Sequence, residues 1–121
     1  MPPYWVFNPY AGGVKMSDSR KREVRAQIES YAARELAGKC DRVIVRFRGA
    51  LCYVDAEERQ PDGRASCYPL CRLRHFDIDR WSVALYTYSH EKYEPCIYPN
   101  GEWFGALEEA LNLGTTFLPL R

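Results

Sequence analysis

Residues 81–99 read WSVALYTYSHEKYEPCIYP, which is the longest strongly β-forming stretch of the chain and the richest in aromatic side chains. Strand-forming residues lie on both sides of a polar centre at residues 89–92, so the stretch predicts a β-hairpin with His90-Glu91 as its turn. Because side chains alternate along a strand, each strand of the hairpin presents two faces. One face is predicted to hold Trp81, Val83, Leu85, Cys96 and Tyr98, and the other Tyr86, Tyr88, Tyr93 and Ile97.

A second hairpin precedes the first one in the chain. Residues 41–48 and 51–57 are both rich in strand formers, and Gly49-Ala50 between them suits a type II′ turn with glycine first. That turn fixes the pairing and predicts one apolar face, with Phe47 opposite Cys52, Val45 opposite Val54 and Val43 opposite Ala56. The other face then pairs Arg48 with Leu51, Arg46 with Tyr53 and Ile44 with Asp55.

Residues 68–76 predict a further strand between the two hairpins. Pairing Cys71, Leu73 and His75 with Leu85, Val83 and Trp81 places Arg72 and Arg74 on the side of Tyr86 and Tyr88. A register slip of one residue would bury both arginines, which favours this pairing. Residues 77–79 then form a short bulged turn, and Pro95 indicates an edge position or a bulge in the last strand.

Two helices flank the predicted sheet. Residues 17–37 carry an apolar stripe at helical spacing, with Ser17, Asp18 or Ser19 as N-cap and Gly38 as the stop, and residues 106–113 carry a second stripe ended by Gly114. We therefore predict a single α+β domain over 1–121: an aromatic arm (1–16), the long helix (17–37), an antiparallel sheet of about five strands (41–99), the short helix (106–113) and an extended tail (115–121). The arm is expected to lie across the domain and close an edge of the sheet.

Composition restricts the function only weakly. The 121 residues carry a formal net charge of +1 with 46% hydrophobic residues, which is ordinary for one globular domain and does not demand a polyanionic partner. Five cysteines at irregular spacing do not predict a disulfide framework. No apolar run reaches the length of a membrane span, and we expect a cytoplasmic protein without a membrane partner.

Several runs of this sequence form a familiar pattern. FNPYAGGVK, RFRGALCYVDA, CRLR and YTYSHEKYEPCIYPNGEWFGALEEA, at residues 7–15, 46–56, 71–74 and 86–110, resemble a family of small bacterial proteins. The resemblance spans nearly the whole chain. It implies a bacterial source and carries no activity with it.

The strongest candidate site is the face of the sheet opposite the apolar one. If the hairpins join in one sheet, this face combines arginines, which bind phosphate, with aromatic rings, which stack on bases, and this combination is typical of single-stranded nucleic-acid binding. The basic first turn of the long helix is a second place where an anion could bind. The predicted nucleic-acid-binding residues are Arg20, Lys21, Arg22, Arg46, Arg48, Tyr53, Arg72, Arg74, Tyr86, Tyr88 and Tyr93. The alternative is that the long helix covers this face, with the arginines paired to carboxylates such as Asp55, Glu57 and Glu35.

Other chemistry has weaker support. Cys67, Cys71 and His75 recur every fourth residue, but in a strand these side chains do not converge, so no metal site and no cofactor are predicted. His90 beside Glu91 could form an acid–base pair only if the hairpin turn lined a pocket, so no catalytic residue is predicted. The preferred interpretation is a non-catalytic binding module, and the most specific prediction within it is weak binding of nucleic acid through the Arg/Tyr sheet face. A protein-interaction or homodimerisation module is the alternative, and a small enzyme is the third possibility.

Overall fold

A computed structural model describes residues 9–116, which form one five-stranded antiparallel sheet and two helices. The strands follow one another in the sheet in chain order, so each strand pairs with its neighbour in sequence. The predicted α+β fold is confirmed. The elements are α1 (Asp18–Glu35), β1 (Arg42–Arg48), β2 (Leu51–Arg59), β3 (Ala65–Asp77), β4 (Arg80–Thr87), β5 (Lys92–Cys96) and α2 (Leu107–Thr115).

The β1–β2 hairpin has the predicted register. Phe47 lies opposite Cys52, Val45 opposite Val54 and Arg46 opposite Tyr53. Gly49 has φ of 60°, which a residue with a side chain rarely adopts, so glycine first in the turn sets this pairing.

Strand β3 begins at Ala65, three residues before the predicted start, and therefore continues alongside the whole of β2. Its register shifts where Val54 pairs with Cys71 but Asp55 pairs with Pro69, so Leu70 is an extra residue in β3. Pro69 has no N–H to donate, which explains a bulge at this point of a central strand. The β3–β4 pairing and the bulged connection after His75 agree with the prediction.

The predicted turn of the last hairpin is wrong, and the pairing of β4 with β5 is shifted by two residues from the predicted register. Thr87 pairs with Lys92 and Val83 with Cys96, so the loop is Tyr88–Glu91 rather than His90-Glu91 alone. Glu91 takes φ of 53° in this loop. A shift of two residues leaves the two faces as predicted, because side chains alternate with a period of two. Pro95 lies on β5, an edge strand, as expected.

Both helices pack against the same face of the sheet, here called the core face. Ser17 caps α1 through a hydrogen bond of 3.1 Å from Arg20 N to Ser17 Oγ. The helix ends with Leu36 as its C-cap rather than at residue 37.

The buried residues of the core cluster are Met16, Val24, Ile28, Tyr31, Leu36, Val45, Cys52, Val54, Ala56, Leu70, Cys71, Leu73, Trp81, Val83, Tyr98, Leu107, Ala110 and Leu111.

Two expectations about this core need correction. Phe47 and Leu85, which strand alternation places on the apolar face, are only partly buried and pack against the core cluster rather than inside it. Gly114 is not a helix stop but lies inside α2, which continues to Thr115. A Cβ atom at Gly114 would lie 2.5 Å from Cys71 Sγ, so the glycine is needed for the close approach of α2 to β3.

The described part of the predicted arm, residues 9–16, lies across one end of the sheet. Val14 N donates to His75 O at 2.7 Å, and Arg74 Nη1 donates to Gly12 O at 2.9 Å. Ser82 Oγ donates to Pro9 O. The arm therefore covers the end of the sheet face opposite the core. The predicted residues 1–8 of the arm and 117–121 of the tail lie outside the described residues.

Candidate nucleic-acid interface

The sheet face opposite the core face carries the predicted arginines and tyrosines and is called the Arg/Tyr face here. It consists of Arg46, Arg48, Tyr53, Arg72, Arg74, Tyr86, Tyr88 and Tyr93. The strand register places Arg46, Tyr53 and Arg72 side by side across β1, β2 and β3. Tyr86 and Tyr93 form the neighbouring pair on β4 and β5.

The alternative in which α1 covers this face is wrong. The buried side chains of α1 are Val24, Ile28 and Tyr31, and all three belong to the cluster on the core face. Side chains that alternate with the core positions of the strands point the other way. Among residues 9–116, the Arg/Tyr face is therefore covered by neither helix, and only residues 9–16 lie over one end of it.

The tyrosine rings of this face form one connected group. Tyr93 contacts Tyr53 and Tyr86 edge to face, with ring centroids 5.7 and 5.2 Å apart, and Tyr86 contacts Tyr88 in the same way at 5.0 Å. Tyr88 is the most exposed of the four, at 53%. It lies in the β4–β5 loop, where its hydroxyl donates to Pro69 O at 2.9 Å. Tyr88 therefore offers the most accessible ring for stacking.

Arginine side chains lie over these rings. The guanidinium of Arg46 is 5.0 Å from the centre of the Tyr53 ring, and that of Arg72 is 5.3 Å from the Tyr93 ring. Both distances are within the range of a cation–π contact. Each contact positions a cation beside an aromatic surface, which is the arrangement that binds a phosphate and a base together.

Positive charge exceeds negative charge on this face. Arg42 also lies on it, at period two from Arg46, and its guanidinium bonds both oxygens of Glu57 at 2.8 and 3.2 Å. Arg46 contacts the other carboxylate of the face, Asp55, at 3.2 Å.

Arg48 and Arg72 form no ion pair with a carboxylate of residues 9–116. Burial, together with the neighbouring Arg72, lowers the pKa of Arg74. Crowded guanidinium groups of this kind favour the approach of an anion.

The pKa values of the tyrosines indicate neutral hydroxyl groups. Burial, and then the charge of Asp55, raise the pKa of Tyr93 to about 12. Burial and the proximity of Tyr86 and Asp55 also raise the pKa of Tyr88. At neutral pH both hydroxyls are thus protonated and able to donate a hydrogen bond.

The predicted helix-end cluster does not join the Arg/Tyr face. Arg20 is 13% exposed and bonds Glu23 Oε1 and Ile78 O, both at 2.7 Å. Its Nε also lies 3.5 Å from His75 Nε2. Lys21 is half-buried and Arg22 exposed on the same turn. Since α1 packs on the core face, these three residues form a separate basic site.

Arg42, which binds Glu57, was missed among the candidate residues. The period-two spacing of arginines in β1 is the signal that could have identified it, because RVIVRFR places Arg42, Arg46 and Arg48 on one face. Asp55 and Glu57 were expected as ion-pair partners of the arginines, and both form such pairs, although with β1 rather than under α1.

The other candidate chemistry finds little support in the geometry. Nδ1 of His90 contacts Oε1 of Glu94, not Glu91, and the His90 side chain is 62% exposed in the hairpin loop. Within residues 9–116, no three His, Cys, Asp or Glu side chains group closely enough to hold a metal ion. The five cysteines are all free thiols. No helix in the described residues is long and apolar enough to cross a membrane.

No protein-family model, curated protein or solved structure matches this chain. The resemblance to small bacterial proteins therefore stays a prediction.

Proposed function

We propose that this protein binds single-stranded nucleic acid on its Arg/Tyr face. The observation that carries the proposal is that both helices pack on the core face, so that neither helix covers the arginines and tyrosines that all five strands contribute to the opposite surface. Sheets with solvent-facing aromatic rings bind single strands by stacking bases on the rings while cations contact the phosphates. The surplus of arginine over carboxylate on this face supplies those cations.

The binding assay is fluorescence anisotropy of a labelled single-stranded 12-mer at low and moderate salt. We expect a dissociation constant in the micromolar range or weaker, and an affinity that falls as salt rises because each neutralised phosphate releases a counterion. Replacing Arg48 and Arg72 together by Gln removes two phosphate contacts. This double variant should flatten the slope of log affinity against log salt by about 1.4, since each single-strand contact contributes about 0.7.

Two further variants show which part of the surface binds. Tyr88→Ala should weaken binding by about tenfold or more with no change in the salt slope, since base stacking contributes about 1–3 kcal/mol and carries no charge. The control is Lys21→Gln with Arg22→Gln, which removes the same charge from α1. A wild-type protein without salt-sensitive binding contradicts the proposal. If the salt dependence of the affinity weakens only in the Lys21→Gln, Arg22→Gln variant, the nucleic acid binds at the start of α1 and not on the Arg/Tyr face.

The second candidate function is a homodimerisation module. Ile97 and Trp103, both 43% exposed, follow the edge strand β5, and the ring of Tyr10 contacts Trp103 at 5.9 Å. Exposed apolar side chains beside an edge strand are typical of a protein-interaction surface. Light scattering over a range of concentrations tests this function, and Trp103→Ala should abolish any dimer.

We place this function in the cytoplasm. Cys52 and Cys71 are buried thiols, and burial raises the pKa of Cys52 to about 12, which keeps it unreactive. Free thiols of this kind suit a reducing compartment. Fractionation of cells that express the protein tests the location.

A further inference from the structure

Asp55 is the one carboxylate at the centre of the Arg/Tyr face. The residue is only 8% exposed, and β2 places it between the row of Tyr53 and the row of Glu57. Arg46 Nη2 donates to its Oδ2 at 3.2 Å. Its Oδ1 is buried and accepts no hydrogen bond from any of residues 9–116. This oxygen is therefore a buried acceptor on the Arg/Tyr face that has no donor among the described residues.

Glu57, the other carboxylate of the face, differs from Asp55 in this respect. Both of its oxygens accept hydrogen bonds from Arg42, from Nε at 2.8 Å and from Nη2 at 3.2 Å. A bidentate pair of this kind satisfies the carboxylate within the protein. Of the two carboxylates, only Asp55 has a buried oxygen that accepts no hydrogen bond from residues 9–116, and a buried acceptor without a donor is destabilising.

The residues around Asp55 are those that would hold a base. Tyr88 donates its hydroxyl to Pro69 O, and Pro69 is the β3 partner of Asp55. Tyr93 also lies close enough for the Asp55 charge to raise its pKa. Because Tyr88 lies in a loop, is half exposed and is bonded to the β3 partner of Asp55, a base stacked on its ring would lie next to Asp55.

We propose that Asp55 reads the base at this face and gives the face a preference for cytosine over uracil. This inference rests on the proposed function. The exocyclic amine of cytosine can donate a hydrogen bond to the carboxylate of Asp55. Its ring N3, beside the amine, can accept a hydrogen bond from the neighbouring guanidinium of Arg46. Uracil has a carbonyl oxygen in place of the amine, and its N3–H is flanked by two carbonyl oxygens that repel the carboxylate. The two bases stack similarly, so the difference between them isolates the contact to Asp55.

The experiment compares oligo(C) and oligo(U) of equal length by anisotropy. Wild-type protein should bind oligo(C) about tenfold more tightly, which corresponds to about 1.4 kcal/mol and to one hydrogen bond with a charged group. Asp55→Asn should reduce the preference to less than about twofold. Glu57→Gln removes an equal charge from the same face and should keep the preference, so it is the matched control.

A second measurement leaves the protein unchanged and covers the case in which Asp55→Asn does not fold. Oligo(C) carrying N4,N4-dimethylcytosine lacks the amine hydrogens and should bind wild-type protein no better than oligo(U). Equal, salt-sensitive binding of oligo(C) and oligo(U) would overturn the role of Asp55 while leaving the proposed function in place. Retention of the preference in Asp55→Asn or with the methylated oligomer would also overturn it. No binding of any oligomer refutes both proposals.

Discussion

Replacing Arg46 by Gln tests whether the Arg/Tyr face also contributes to folding stability. Arg46 donates the hydrogen bond to Asp55 Oδ2, and no donor in residues 9–116 reaches Oδ1. Arg46→Gln therefore removes the ion pair of a carboxylate that stays in place, and it leaves the other ion pair of this face, Arg42 with Glu57, intact.

The exposure of the two partners sets the size of the effect. Removing one partner of a fully buried ion pair costs about 3–5 kcal/mol, whereas an exposed pair contributes at most about 1 kcal/mol. The Asp55 side chain is 11% exposed and the Arg46 side chain 56%. The pair lies between these limits, so we expect the free energy of unfolding to fall by about 1–3 kcal/mol. For a domain of this size that corresponds to a decrease in Tm of roughly 3–10 °C.

Urea unfolding of a double-mutant cycle measures this energy. The cycle comprises wild type, Arg46→Gln, Asp55→Asn and the double variant. In the Asp55→Asn background, Arg46→Gln should cost less than about 0.5 kcal/mol, because no buried charge is left to be orphaned. Arg48→Gln is the control on the same face and should change stability by no more than about 0.5 kcal/mol. Strictly additive effects of Arg46→Gln and Asp55→Asn would refute the reasoning.

Three other predictions concern the packing and the titration of the domain. Gly114→Ala should destabilise the protein by about 1–3 kcal/mol in urea unfolding, because the new Cβ would lie 2.5 Å from Cys71 Sγ. This steric cost outweighs the better helix propensity of Ala. An increase in stability would contradict the packing of α2 on β3. Val83→Ala should cost about 2–4 kcal/mol by the same assay, because Val83 is fully buried at the centre of the core face, and a cost under about 0.5 kcal/mol would place it outside the core. The hydrogen bond and charge of Arg42 lower the pKa of Glu57 below its ordinary value of 4.5. The ion pair therefore stabilises the fold above about pH 4.5, and this stabilisation is lost as the pH falls through the lowered pKa of Glu57. Glu57→Gln should therefore lose less stability than wild type between pH 6 and pH 3, and identical pH profiles of the two proteins would contradict the ion pair.

Local chemistry explains why much of the sheet could be predicted. Gly49 permits the positive φ of a two-residue turn, and with the turn placed, every pair from Arg48 and Leu51 onward follows from the period of two. Apolar residues in β3 alternate with Arg72 and Arg74, so only one pairing of β3 with β4 keeps both arginines off the core face. The faces of the sheet, and therefore the membership of the Arg/Tyr face, were encoded in this alternation.

Features that depend on contacts distant in the chain could not be predicted in this way. The alternation in β1 and β2 is the same whether α1 packs on one face or the other, and only the packing of Val24 and Ile28 into the cluster around Val54 decides it. Gly114 appears as a helix stop in the sequence because glycine often ends helices, whereas the close approach of Cys71 is visible only in the fold.

The sequence alone thus determined which side chains share a face, because strand periodicity is a local property of the backbone. It also determined where the first hairpin turns, because glycine adopts a positive φ far more readily than a residue with a side chain. Only the tertiary structure decided that neither helix covers the Arg/Tyr face. It alone showed that Glu57 is bonded by Arg42, while Oδ1 of Asp55 has no donor within residues 9–116. Those outcomes depend on the distances between side chains of different strands and on the sheet face against which each helix packs. Both are set by the packing of the whole domain.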